Sequence, residues 1–367
     1  MKKTFIFLLI LIIVFLLVAP IILYFGSKFY NHTYHKFWST QPVSFYHTLK
    51  LSDGILNSSK PPPPITNESY SIDFFTSNEQ NIKDMLELLN KNYSISDKCT
   101  YHYDKEYIEW AFNNDNKERI NLCLSENSKM IGCITSRPTT LVLKGEKLKC
   151  LYVDNLCIDR DYRDKGIAPI LISHMSNYGY EKGYNLFIYQ RESYKLPYRS
   201  IALTENYIYE LEKYNLGAYQ LTSLTEKNLK QVYDFYNNYF LGKDNYVKYS
   251  FTDFSYYFMN KWITCYVEFK NNQIINLVVL QDNKYQLNNQ KVIEIPYIIV
   301  TDDTQQQFIK KVFNQCLEDG YKLVCNKNQQ NQRFFSDLKT SDSFVSFIYM
   351  YNYHLVSPLT KHELVFL

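Results

Sequence analysis

Between Thr4 and Phe25 the chain carries no charged residue, and Leu, Ile, Val and Phe dominate the run. Roughly 22 helical residues are enough to cross ~30 Å of hydrocarbon, so this pattern predicts a membrane-spanning helix. A cleaved signal peptide has a shorter apolar stretch of about 7–15 residues, closed by small residues. Here Lys28, Phe29 and Tyr30 follow, and a retained anchor over residues 1–30 is expected. Past it the pattern breaks into short periods. Ile82, Met85, Leu86 and Leu89 recur at helical spacing. Residues 120–123, 130–135, 140–143 and 151–158 read as successive strands. Ile170, Leu171, Met175 and Tyr178 give a helix over 169–179 one apolar face, and 185–189 reads as a strand. The second half repeats this plan: a helix over 227–239, then strands over 264–269, 274–281 and 292–300. Next, Phe308, Ile309, Val312, Phe313, Cys316 and Leu317 mark an amphipathic helix over 305–319, stopped at Gly320 where a left-handed cap is cheap. Strands over 321–326 and 344–353 follow. Pro61–Pro64 predicts a stiff, exposed loop.

Composition adds bounds to this picture. The 367 residues are 46% hydrophobic and 17% aromatic, ample for packed cores. They allow an anchor and two further units, placed at 31–205 and 206–367. A net charge of +3 gives no global field towards nucleic acid. The eight cysteines are scattered without zinc-ligand spacing, so no metal is expected and they read as reduced core thiols. Lys2 and Lys3 balance Lys28 and Lys36 across the apolar run, so flanking charge does not set its orientation.

Candidate chemistry gathers at 151–171. An apolar strand (Leu151, Val153, Leu156, Ile158) ends in the charged turn 160–165, and Gly166-Ile167-Ala168-Pro169 opens a helix. Strand, basic glycine-containing turn and helix start together can hold a phosphate on backbone N–H groups. The spacing R-x-x-G-x-A resembles the pyrophosphate signature of the GNAT superfamily of acyl-CoA N-acyltransferases. Upstream, Phe37-Trp38-Ser39-Thr40-Gln41-Pro42-Val43 resembles the FW-x-TQPV segment of glycylpeptide N-tetradecanoyltransferases (N-myristoyltransferases), whose core is a duplicated GNAT fold. Further matches run in the same order. They are Leu89-Asn90-Lys91-Asn92-Tyr93, Tyr101-His102-Tyr103-Asp104, Glu106–Ala111, Tyr349-Met350-Tyr351-Asn352 and the last residues, 361–367. The resemblance covers roughly 34–367.

That resemblance implies an α/β (α+β) fold: a tandem, pseudo-twofold GNAT-like unit with two mixed sheets flanked by helices, behind the transmembrane helix. It implies transfer of a myristoyl group from myristoyl-CoA, as co-substrate, to the N-terminal glycine amine of peptides, with no further cofactor. The backbone N–H groups of Asn155 and Leu156 would polarise the thioester carbonyl. Lys36, Phe37 and Trp38 would contact CoA from one side, and Leu156, Cys157, Ile158, Arg163, Asp164, Lys165, Gly166, Ile167 and Ala168 from the other. Tyr93, Tyr101, Tyr103, Gln190 and Tyr297 would line the peptide groove, and the Leu367 carboxylate would accept the amine proton. From an α-carboxylate near 3.5 and an amine near 8, that transfer is uphill by about 6 kcal/mol in water, a gap that desolvation narrows. His102, His174 and His362 fall in no defensible base pattern. A monomer is expected, with its catalytic part on the cytosolic side of a membrane. Departures at Asp154, Asn155, Asp164 and Gln190 keep two alternatives open: a GNAT-type N-acyltransferase with another acyl chain or amine, and an inactive acyl-CoA or peptide-binding protein.

Overall fold

The computed structural model describes residues 2–112, 119–301, 305–327 and 329–360. The apolar run is a helix, Lys2–Tyr34, which continues four residues past the anchor expected over 1–30. Its segment Ile12–Tyr34 is long and apolar enough to cross a membrane, with mean hydropathy 2.2. Phe15, Leu16, Leu23 and Phe29 stand exposed along it. Where the helix meets the body, Ser27 hydrogen-bonds His47 at 3.1 Å and Tyr24 packs edge-on to the same ring.

Among the described residues, fifteen strands join in one mixed sheet. Towards one side it contains a long hairpin, Lys129–Leu143 with Glu146–Ile158. Glu146–Ile158 then pairs in parallel with Phe187–Glu192, and the helix Ile167–Glu181 makes the crossover. The second half holds the same unit: Gln290–Val300 and Leu323–Asn326 run parallel, joined through Gln305–Glu318. The strand Thr340–Tyr351 inserts between Phe187–Glu192 and Ala202–Glu210. Through it, the two sheets expected from the sequence are hydrogen-bonded into one.

Local sequence explains much of this. The helix Gln305–Glu318 buries Phe308, Ile309, Val312, Phe313 and Cys316, the face its periodicity marks. Gly179 lets the helix Ile167–Glu181 lie close on the sheet, since a Cβ there would sit 2.6 Å from the Phe187 ring. All eight cysteines are buried and unpaired.

Two strands expected at 130–135 and 140–143 are one 15-residue strand, Lys129–Leu143. Pro138 survives inside it because the outer side changes partner there. Ile120–Glu126 pairs up to Ser136, and Asn245–Lys248 begins at Thr140. A residue without an N–H costs little in that gap. The strand Ala202–Glu210 and the helix Phe251–Phe258 were not legible in the pattern. The helix is short and buries only Phe254, Tyr257 and Phe258, but Ser250 caps it by accepting the Asp253 N–H at 3.0 Å.

Candidate active site

The hairpin ladder breaks where chemistry is expected. Cys133 pairs with Cys157 and Thr135 with Asp154, so Asn155 and Leu156 have no cross-strand partner. Asn155 takes up the excess length at φ +49°, which Asn tolerates better than most residues. On the other side, parallel pairing with Phe187–Glu192 ends at Val153 and Tyr189. The strand is therefore splayed on both edges at Asn155–Leu156. The Asn155 N–H is occupied, however, donating to its neighbour's Asp154 Oδ1 at 2.7 Å. The Asn155 side chain is held in turn: Nδ2 donates to Thr135 Oγ1 at 3.2 Å, and Oδ1 lies 3.4 Å from the Tyr103 hydroxyl.

A cavity opens in front of this break. Tyr93, Tyr101, Tyr103, Asn155 and Gln190, all expected there, line it. Tyr93, Tyr101, Tyr103 and Tyr107 form a continuous ring ladder with centroid steps of 4.9, 5.4 and 5.1 Å. Burial raises all four phenols above their ordinary value, so they stay neutral donors. Tyr297 is elsewhere: it is 1% exposed in the core of the second half, against Tyr236 and Phe240.

The cavity is also charged, in a way the sequence reading missed. Asp154 and Glu192 face it from the two diverging strands. Burial pushes the Glu192 carboxyl above its usual range; Lys327 pulls it back and Asp154 adds to the rise. Lys327, also on the wall, pairs with the 2%-exposed Glu294 at 2.8 Å, and Asn283 donates to the other Glu294 oxygen. Further along, Arg137 lies 4.8 Å over Tyr152 and 5.0 Å from the Tyr257 ring. A visible signal for Arg137 was a lone cation in an otherwise apolar or hydroxyl-bearing run. Nothing comparable marked Tyr257, which arrives on the unrecognised helix.

The turn after the break is stapled from below. Asn92 Oδ1 accepts the Arg160 N–H at 3.0 Å, and the Arg163 guanidinium donates to the carbonyls of Asn92 at 2.9 Å and Ile158 at 3.4 Å. Arg163 thus positions the loop through backbone carbonyls. Asp164 is exposed at φ +62° and, among the described residues, makes no ion pair with Arg163 or Lys165. Lys165 sits 4.7 Å over Tyr162. Gly166, at φ +78°, is the left-handed N-cap of Ile167–Glu181. An L side chain is strained at that angle, and the helix N-terminus beyond it offers free N–H groups and a partial positive charge. Ile167 is buried and Ala168 half-buried at its first turn. Cys157 is a core residue, so it and Leu156 and Ile158 can offer a ligand mainly backbone. Lys36 is exposed on the short helix Lys36–Ser39, Phe37 is half-buried, and Trp38 packs 4.9 Å from Tyr198. Leu367 lies outside the described residues.

Residues 55–197 match the family model of the Myristoyl-CoA:protein N-myristoyltransferase N-terminal domain. Over that stretch the chain is similar to the N-myristoyltransferase family. The glycylpeptide N-tetradecanoyltransferase of Saccharomyces cerevisiae is 28% identical over 157 residues, 39% of this chain and 34% of that protein. The chain thus spans about a third of the length of the first curated relatives it matches. A putative glycylpeptide N-tetradecanoyltransferase of Amsacta moorei entomopoxvirus is 25% identical over 316 residues, 83% of this chain and 92% of that one. The solved structure of the Saccharomyces cerevisiae N-myristoyltransferase with bound myristoyl-CoA superposes with a TM-score of 0.75 at 18% identity, over 89% of this chain and 94% of that chain. At that identity it is the fold that is shared.

Proposed function

We propose that this chain is an enzyme of the N-myristoyltransferase family and transfers a myristoyl group from myristoyl-CoA to the N-terminal glycine amine of peptides. The observation that carries the reading is the doubly splayed strand at Asn155–Leu156, with a tyrosine-lined cavity before it and the Gly166 helix start after it. The CoA diphosphate would lie on the loop 163–168, with Lys36, Phe37 and Trp38 opposite. The thioester carbonyl would point at the Asn155 and Leu156 N–H groups, and the 206–367 half would complete the peptide groove. The amine attacks the thioester carbon; the C–N bond forms, the C–S bond breaks, and CoA leaves as thiolate and is protonated. Asp154 must leave the Asn155 N–H before that donor can serve, a change expected when an ammonium arrives beside it. Donors of this type contribute about 3–4 kcal/mol to the transition state. The resemblance assigns proton acceptance to the Leu367 carboxylate. The helix Lys2–Tyr34 would anchor a monomer in a membrane, with the catalytic part on the cytosolic side, where acyl-CoA and peptide N-termini occur.

The test uses the full chain in detergent micelles with myristoyl-CoA and paired peptides starting with Gly or Ala. A mass gain of one myristoyl group on the Gly peptide alone is expected. Well-folded protein that binds myristoyl-CoA but acylates neither peptide would overturn the transferase reading and leave that of an acyl-CoA-binding protein. Transfer of shorter chains in preference to myristoyl would move the assignment to another N-acyltransferase.

A further inference from the structure

Arg137 is a largely enclosed cation on the cavity wall, and no carboxylate among the described residues pairs with it. Arg119, 6% exposed on the same wall, gives one nitrogen to the Ala111 carbonyl and one to the Tyr257 hydroxyl, and likewise meets no described carboxylate. Both guanidiniums converge on the Tyr257 ring, at 5.0 and 5.8 Å. Arginine keeps its charge at any working pH, and an enclosed charge without a counter-ion is costly. Aromatic faces offset only part of that. The wall therefore presents a preformed, unspent site for an anion.

Its position relative to the reacting centre follows from the ladder. Arg137 pairs with Tyr152, and Thr135 with Asp154. Arg137 is thus two residues, about 7 Å, along the sheet from Asp154 and on the same face. Asp154 and Glu192, of opposite charge to Arg137, line the same cavity. An extended peptide advances about 3.3–3.6 Å per residue. With its ammonium beside Asp154, its third residue comes level with the guanidinium. We propose that Arg137, clamped between Tyr152 and Tyr257, selects acceptor peptides that carry Asp or Glu at the third residue, counting the N-terminal glycine as the first. This rests on the acyl-acceptor reading of the cavity above, but it makes a separate claim about which acceptors enter.

The experiment compares Gly-Ala-Glu and Gly-Ala-Gln peptides, otherwise identical, on the full chain in micelles. Two readouts are taken: kcat/KM for acylation with myristoyl-CoA, and peptide binding by fluorescence anisotropy with a non-transferable thioether analogue bound. The acidic peptide should be favoured about tenfold to a hundredfold in both, as a charge-assisted pair of this kind implies. Arg137→Gln should erase the preference, and Arg137→Lys should restore part of it. Unchanged affinity for the analogue in both variants would show that they are folded. Acylation of both peptides with equal kcat/KM and equal affinity overturns the inference and leaves the transferase reading standing. Charge-selective binding without acylation does the reverse. A preference that survives in Arg137→Gln also overturns it.

Discussion

Replacing Lys327 by Met probes the electrostatics of the cavity floor. Glu294 is 2% exposed, with Lys327 Nζ 2.8 Å from one oxygen and Asn283 on the other. Burial works against the Lys327 charge, yet Glu294 holds its ammonium well above the ordinary value, so the pair is charged. Removing one partner of such a pair costs about 3–5 kcal/mol, because an uncompensated buried charge remains. Lys327→Met should therefore lose about 3–5 kcal/mol at pH 7, read by urea unfolding of the full chain in micelles. Adding Glu294→Gln should recover most of the loss in a double-mutant cycle. A loss under about 1 kcal/mol at pH 7, or one that Glu294→Gln does not recover, would refute the reasoning.

Two further outcomes are expected. Gly166→Val forces a β-branched residue into φ +78°, a strain of about 1–2 kcal/mol; calorimetry should show myristoyl-CoA binding about tenfold weaker, whereas Gly166→Asn, tolerant of that conformation, stays near wild type. For Asp159, burial raises the carboxyl, but the Lys129 ammonium at 2.9 Å and the Asp161 N–H bring it net below its usual range. Its stabilisation is present above the ordinary carboxylate value and fades as pH falls through the lowered one. Lys129→Met should therefore cost stability at pH 7, by under about 1 kcal/mol because Lys129 is exposed, and almost none at pH 2 to 3, measured by thermal unfolding.

Legibility along the chain followed the range of the forces involved. The helix Gln305–Glu318 and the anchor helix announce themselves because their signals are local: one apolar stripe in the first case, an unbroken apolar run in the second. Gly166 was visible for a related reason, since a strand followed by a basic glycine turn is written in consecutive residues, whereas Asn155 was singled out only by the resemblance. Lys129–Leu143 was read as two strands, 130–135 and 140–143; Pro138 lies in the gap between them, and only the change of partners on the outer edge makes a proline harmless there. Tyr297 was assigned to the groove by spacing, but a residue on a strand can face either side, and packing against Tyr236 turned it into the core.

By itself, then, the order of residues determined the mixed α/β repeat, the apolar N-terminal helix, and the strand–loop–helix stretch at 151–171 with its family resemblance. Each is carried by short-range periodicity, by turn chemistry, or by motifs kept in order. Tertiary structure alone decided that Thr340–Tyr351 would join both halves into one sheet. It also decided that the Asp154 carboxylate would cover the Asn155 N–H, and that Arg137, Glu192, Lys327 and Tyr257 would share one wall. Those groups come from strands and a helix far apart in sequence. Their charges and hydrogen bonds take effect only once folding excludes water and brings them within a few ångströms.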